Sequence, residues 1–445
     1  MQAASAGSRY KQLWVQMHSS LWFLPACVTI GLMLLAPGLT ELDRHVDAAL
    51  EQRWPRFFTV EADGARNLLA VIAGSMATIA GVTFSITMVA LTLASAQYTP
   101  RVLRNFMRDK VNQLVLGIFV GIFLYCLLVL LAITEKPAPF VPVCAVLGSV
   151  ALSVLASGAF IFFIHHISSS IQAAEMARAI THETMDMLDK YFPNDETGGR
   201  ARAQPPDVEA AAWRPVPALH WGTIQTVAET QLLAWACAHD AIVRMEHKPG
   251  QFIGTGETLV SVAVDRPPDD DAIAALNGAY GVGAFRTLDQ DPAFGVRQLV
   301  DMALKALSPG INDSTTAVTC LEHIAIILGS CARRDLGPRN RYDELGRLRV
   351  LTIGIDFAHL SSLAFSQIAE SAQGNTEVLL RIFDAIDKTG RACRGRSERR
   401  ALLHQAEITA EIALGSVKTQ DASQRLGARL RALRHILGGD SPLTM

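Results

Sequence analysis

Four long apolar runs, all placed before Ile167, decide what this chain can become. They cover residues 21–39, 68–96, 114–133 and 140–164, and none has an Asp, Glu, Lys, Arg or His in its core. A helix rises about 1.5 Å per residue and bilayer hydrocarbon is about 30 Å thick, so roughly 20 apolar residues cross it. Lipid offers no partner to an unpaired backbone group, so each run is expected to be a helix. Half of the 445 residues are hydrophobic, yet the excess sits in these runs, and the chain after Thr181 has an ordinary water-soluble mixture. The expected class is therefore membrane α-helical. Four transmembrane helices are followed by a cytoplasmic α+β domain made of a small β-rich, barrel-like module and a helical bundle.

Basic residues near the span ends set the expected orientation. Arg9 and Lys11 precede the first run without an acid, and Arg101, Arg104, Arg108 and Lys110 face only Asp109 between the second and third. Between the first and second, Glu41, Asp43, Asp47, Glu51, Glu61 and Asp63 outnumber Arg44, Arg53, Arg56 and Arg66. A multi-pass protein with both termini cytoplasmic follows, with the acidic loop and its Trp54 outside. Pro25 and Pro37 interrupt the first run. With three more runs behind it, it is read as a retained helix and not as a secretion signal. Residues 134–139 are too few for anything but an antiparallel hairpin between the last two spans.

The second run carries Gly74, Thr78, Gly81, Ser85, Thr92 and Ser95 three, four or seven apart, which places them on one helical face. Small residues let helices pack closely; in a homo-oligomer the same hydroxyls could line a pore. Gly117 and Gly121, and Ser149, Ser153 and Ser157, have packing spacing too. Pumps and proton-coupled carriers place an ionisable group at mid-membrane, and none occurs in these runs. Four spans without an internal repeat would need a path shared between subunits, so the expected partners are the lipid bilayer and further copies of the chain.

Beyond residues 1–166 the chain divides into a stalk helix (167–193), a linker (194–217), a β-rich module (218–266) and a mainly helical region (267–440). His165 and His166 stand at the membrane edge; adjacent on a helix, they point about 100° apart, which suits an interfacial role better than metal binding. Strands are expected at 241–245, 251–253 and 258–264, with Lys248-Pro249-Gly250 as a turn. This spacing resembles half of a lipoyl-type barrel-sandwich fold, without that family's carrier-lysine hairpin. A strand over 279–288 leads to a helix opening at Pro292 and stopping at Ser308-Pro309-Gly310. Asn312 and Asp313 can then cap a second helix over 315–328. Two readings stand side by side: a polar turn that satisfies backbone donors, or a pocket of Arg286, Asp289, Asp291, Asn312 and Asp313 for a small ligand or cation. Three apolar faces, 357–368, 378–386 and 408–437, make the rest helical.

A net charge of −2 argues against nucleic acid as a partner. The seven cysteines form no CxxC pair, so neither a zinc site nor a disulfide framework is expected, and no metal or cofactor is implied. No GxGxxG, GxxxxGK[ST], HExxH or GxSxG occurs, so an enzyme is not expected.

The stretch Arg286-Thr287-Leu288-Asp289-Gln290-Asp291, with Phe294-Gly295, Gln298-Leu299-Val300-Asp301, Ala306-Leu307-Ser308-Pro309-Gly310-Ile311-Asn312-Asp313 and Thr316-Ala317, resembles a long motif. So do Gly81-Val82-Thr83-Phe84-Ser85 and Gln97-Tyr98-Thr99-Pro100-Arg101. Together they resemble the bacterial predicted membrane proteins grouped as domain of unknown function 2254. That family often has proline after Asn-Asp; Ser314 stands here and is expected to loosen the turn. The resemblance covers most of the chain and implies a bacterial inner-membrane location, but no activity. From the residues alone, the leading expectation is a homo-oligomeric ion channel or channel-like protein with a cytoplasmic gating domain. The alternative is a membrane-anchored sensor or scaffold that binds a ligand or partner through that domain.

Overall fold

The computed structural model describes residues 22–51, 61–97, 109–134, 140–170, 172–194 and 212–438, with only the backbone given for 45–51 and 94–97. The basic residues 9, 11, 101, 104 and 108, residues 53, 54 and 56 of the acidic loop, and most of the 194–217 linker lie outside these ranges. The chain divides into two compact units, Met1–Gln172 and Ala173–Met445.

The N-terminal unit has four described helices: α1 (Phe23–Glu51), α2 (Ala62–Gln97), α3 (Lys110–Ala132) and α4 (Val143–Ser170). α3 is the hub, burying Phe119, Ile122, Tyr125 and Val129 against the other three. Its two glycines make this possible. A Cβ on Gly117 would stand 2.9 Å from the Pro25 backbone, and one on Gly121 would stand 2.5 Å from Leu32. α1 runs a dozen residues beyond the expected 21–39, because the acidic segment after it is made largely of good helix formers. That extension brings Asp43, read from sequence as part of an outer loop, into a buried position. Its carboxylate accepts the backbone N–H groups of Cys144 (2.8 Å) and Ala145 (3.1 Å), closing the start of α4. At the start of α3, Asp109 accepts the N–H of Val111 (2.9 Å) and meets His166 Nε2 at 2.5 Å. One of the paired histidines therefore has a carboxylate partner.

Among the described residues five helices are long and apolar enough to cross a membrane: Phe23–Arg44, Ala62–Leu93, Lys110–Ala132, Val143–Ser170 and Ser314–Ala332. The first four match the apolar runs. The fifth, expected as the second helix of the polar-turn hairpin, has 61% of its most apolar stretch buried, against 11–44% for the others.

In the C-terminal unit, α5 (Ala173–Tyr191) is an element separate from α4, so the last span and the stalk expected to continue it are two helices. α5 packs on α8 (Pro292–Ala306) and α9 (Ser314–Ala332). The approach is close enough that a Cβ on Gly295 would collide with the Thr184 hydroxyl. α10 (Phe357–Ser371), α11 (Thr376–Ala392), α12 (Arg396–Ser416) and α13 (Gln420–Gly438) complete this helical layer.

The strands are β1 (Trp213–Pro217), β2 (Gly222–Val227), β3 (Ile242–Met245), β4 (Phe252–Ile253), β5 (Thr258–Ala263), β6 (Tyr280–Gly283), β7 (Arg341–Tyr342) and β8 (Leu348–Leu351). Two short helices, α6 (Glu229–Ala238) and α7 (Asp270–Gly278), lie between them. One sheet has the order β1-β5-β3-β8-β7 and the other β4-β2-β6. All pairs are antiparallel except β3 with β8, where Val243 stands opposite Val350. The β-rich segment does not stand alone: it recruits β1 from the end of the expected linker, and β7 and β8 from 341–351. Val216, Ile224, Leu232, Val243, Val260 and Val350 share its core. The acidic run at 269–271 is the start of α7, where Asp269 accepts the N–H of Ala272 at 2.9 Å.

Candidate functional site

Lys248, Pro249 and Gly250 form the expected turn, closed by a Gln251 N–H to Lys248 carbonyl bond of 3.3 Å. Proline presets the first corner, and Gly250, at φ +90°, takes the second, which L side chains resist. A Cβ on Gly250 would collide with Asp291 Oδ2 and stand 3.0 Å from Arg286 Nε. The turn thus lies directly on the Arg286–Asp291 ion pair, whose Nε–Oδ2 distance is 2.5 Å. Asp291 is buried, and the Arg286 guanidinium lies over the Phe294 ring at 5.5 Å. Pro292 opens α8 as expected, yet Asp291 makes no side-chain cap there because its carboxylate serves Arg286.

The turn and the ion pair form part of the wall of a cavity of about 650 Å³, within the range of small-molecule sites. The first turns of three helices also line it: Glu229 of α6, Ala293 of α8 and His359 of α10. Met245, Ile353, Ile355 and Leu360 supply apolar wall, and Thr352 has a buried hydroxyl without a hydrogen-bond partner. Tyr191 and Phe192, at the end of α5, close another side. Gln290 holds the rim to the sheet, accepting the Val227 N–H at 2.8 Å.

The structure therefore brings together Arg286 and Asp291 of the five candidate pocket residues. Asp289 is exposed and does not line the cavity. Asn312 (φ +52°) and Asp313 form the turn before α9, away from it. Asp313 accepts the Thr316 N–H (3.0 Å) and hydroxyl (2.5 Å), and these bonds hold its carboxyl below the usual carboxylate range. The residues that sequence reading missed are Lys248, Glu229, Arg339 and Arg341. They come from segments up to about a hundred residues apart, joined by the parallel β3–β8 pairing.

On α2, Gly74, Thr78, Gly81, Ser85 and Thr92 are all exposed, and nothing lies within 4 Å of a Cβ on either glycine. The backbone of Ser95 continues the helix, while its side chain lies outside the described set. Thr78 and Thr92 donate to the carbonyls of Gly74 (2.9 Å) and Met88 (2.8 Å) in their own helix. Among the described residues no three His, Cys, Asp or Glu side chains cluster as metal ligands would.

Residues 18–388 match the family model described as Predicted membrane protein (DUF2254). An uncharacterized protein of Mycobacterium tuberculosis (strain CDC 1551 / Oshkosh) and another of Mycobacterium bovis are each 31% identical over 444 residues. Each alignment covers 97% of this chain and 83% of the relative. No solved structure gives a significant match. With apolar helices at the expected positions and a family match over most of its length, the chain is a membrane protein and belongs to the Predicted membrane protein (DUF2254) family.

Proposed function

We propose that this protein is a membrane-anchored binding protein whose C-terminal unit takes a small ligand in the cavity beside Arg286 and Asp291. The observation that carries this reading is the cavity itself. It is large enough for a metabolite, partly apolar, and walled by charged groups held by a glycine turn and a half-buried ion pair. In this reading α1 to α4 span the inner membrane of a bacterium, with both termini cytoplasmic. α9 does not span, because its apolar surface is spent on α5, α8 and α11. α5 is the element that follows the fourth apolar helix in the chain, and it ends at Tyr191 in the cavity wall. That makes a sensor the favoured role.

Thermal unfolding of the full chain in lipid nanodiscs, run against a panel of metabolites, tests the proposal. At least one compound should raise the melting temperature of the wild type and fail to do so in Ala293→Trp, which fills the cavity. Compounds that shift both proteins equally, or a panel without any shift, would contradict it.

A second reading keeps the homo-oligomeric channel. Among the described residues, no helix covers the face of α2 from Gly74 to Thr92, unlike the glycines of α3. Back-bonding of Thr78 and Thr92 lets that face meet lipid or a neighbouring subunit without water, which weakens the case for a pore lining. Ion flux into liposomes that disappears in Ser85→Leu and Thr92→Leu would restore it.

A further inference from the structure

Four cationic side chains reach the cavity: Lys248, Arg286, Arg339 and Arg341. Two are neutralised, Arg286 by Asp291 at 2.5 Å and Arg341 by Glu229 at 2.6 Å. The remaining carboxylate, Asp356, accepts only the N–H of Ala358 at the start of its own helix (2.9 Å) and keeps its charge, so four cations against three carboxylates leave the wall with a net charge of +1. Among the described residues, Lys248 and Arg339 have no carboxylate partner. Lys248 Nζ meets the Gly354 carbonyl at 3.5 Å, and Arg339 meets the carbonyls of Tyr191 (3.2 Å) and Asp335 (3.3 Å). Carbonyl partners leave both positive charges unpaired.

The backbone adds to that charge. α6 and α8 present their first turns to the cavity without a side-chain cap, with Glu229 in the first turn of α6 and Pro292, which has no N–H, opening α8. Helix N-termini carry a partial positive charge and unpaired N–H groups, the combination that binds phosphate.

We propose that the cavity binds a phosphorylated small molecule, its phosphate held by Lys248 and Arg339 and its organic part against Met245, Ile353 and Leu360. This rests on the cavity being the binding site, and of the two occupants that the sequence left open, a small ligand or a cation, it takes the first. A phosphate carries between one and two negative charges near neutral pH and suits two unpaired cations. The same chemistry could come from a soluble compound or from a phospholipid headgroup.

The test is calorimetric titration of inorganic pyrophosphate into the full chain in phosphatidylcholine nanodiscs. Binding is expected, weakened about tenfold or more in Lys248→Met and in Arg339→Met, since removing a charge-assisted hydrogen bond costs at least that. Arg425→Met, an exposed arginine on α13, should bind as the wild type does. Arg339 also holds the end of α5, but Lys248 has only its long carbonyl bond, so Lys248→Met keeps the fold and remains decisive. A second set of discs containing phosphatidylglycerol separates the sources. Weakened pyrophosphate binding there assigns the site to a headgroup; unchanged binding assigns it to a soluble phosphate. Absent binding, or binding that both substitutions leave unchanged, overturns the proposal. If a neutral compound then still protects the wild type and not Ala293→Trp, the cavity is a site of other chemistry; if none does, the binding reading falls too.

Discussion

Two consecutive helices of the C-terminal unit begin alike and use the same residue differently. α8 and α9 each follow an aspartate, Asp291 and Asp313 respectively, at the position before the first turn. Asp313 turns its carboxylate back on Thr316 and closes its own helix. Asp291 leaves α8 uncapped and reaches across to Arg286, on the wall of the cavity. A side-chain cap contributes about 1 kcal/mol, and burying a carboxylate costs several unless it is paired. Giving up the one and accepting the other makes sense where the carboxylate positions an arginine and a turn. Local pattern marks both residues as caps; only the destination of the carboxylate tells a cap from part of a site.

Substitutions at the two helix starts sharpen this contrast, and the largest effect belongs to Gly250→Ala. It forces a side chain into left-handed backbone and against Asp291, so a loss on the order of 3 kcal/mol is expected in denaturant unfolding. A loss below about 1 kcal/mol would mean that the turn does not rest on the ion pair. Next comes Arg286→Met, which strands a buried carboxylate and should cost about 2–3 kcal/mol, reduced by the partial exposure of the arginine. Adding Asp291→Asn should recover part of that loss, and additive costs in the double variant would break the account of the pair. Asp313→Ala should cost only about 1 kcal/mol and leave any ligand-induced stabilisation unchanged. If it abolishes ligand protection, the two aspartates belong to one site after all.

The smallest effect is a pH dependence. Hydrogen bonds from the hydroxyl and then the N–H of Thr316 depress the Asp313 carboxyl, so its stabilisation is complete above the unfolded carboxylate value, about 3.9. It is lost as pH falls through the depressed folded value. The stability difference between the wild type and Asp313→Ala should therefore shrink as pH falls below about 4. A difference that stays constant over that range would remove the charge from the cap.

Much of the fold was legible because hydropathy is a property of composition. Runs of twenty apolar residues mark helices whatever lies around them, and α1 to α4 fall on the four runs. The β3, β4 and β5 strands and the Lys248-Pro249-Gly250 turn were legible because alternation and turn chemistry are local. Asp43 was misplaced in an outer loop because hydropathy ends a span where its charges begin, while helix propensity carries α1 further. The cavity was half legible. Arg286 and Asp291 sit five residues apart in a polar stretch, but Lys248, Arg339 and Arg341 meet them only through the parallel pairing of β3 with β8. No periodicity within either strand announces its partner.

Electron cryo-microscopy of the full chain, purified in nanodiscs from its own membranes, tests the central claim most directly. The account predicts density from a bound small molecule within the cavity, touching Lys248 and Arg339 and absent in Ala293→Trp. A cavity closed by its own side chains, or a ligand bound anywhere else on the C-terminal unit, would contradict it.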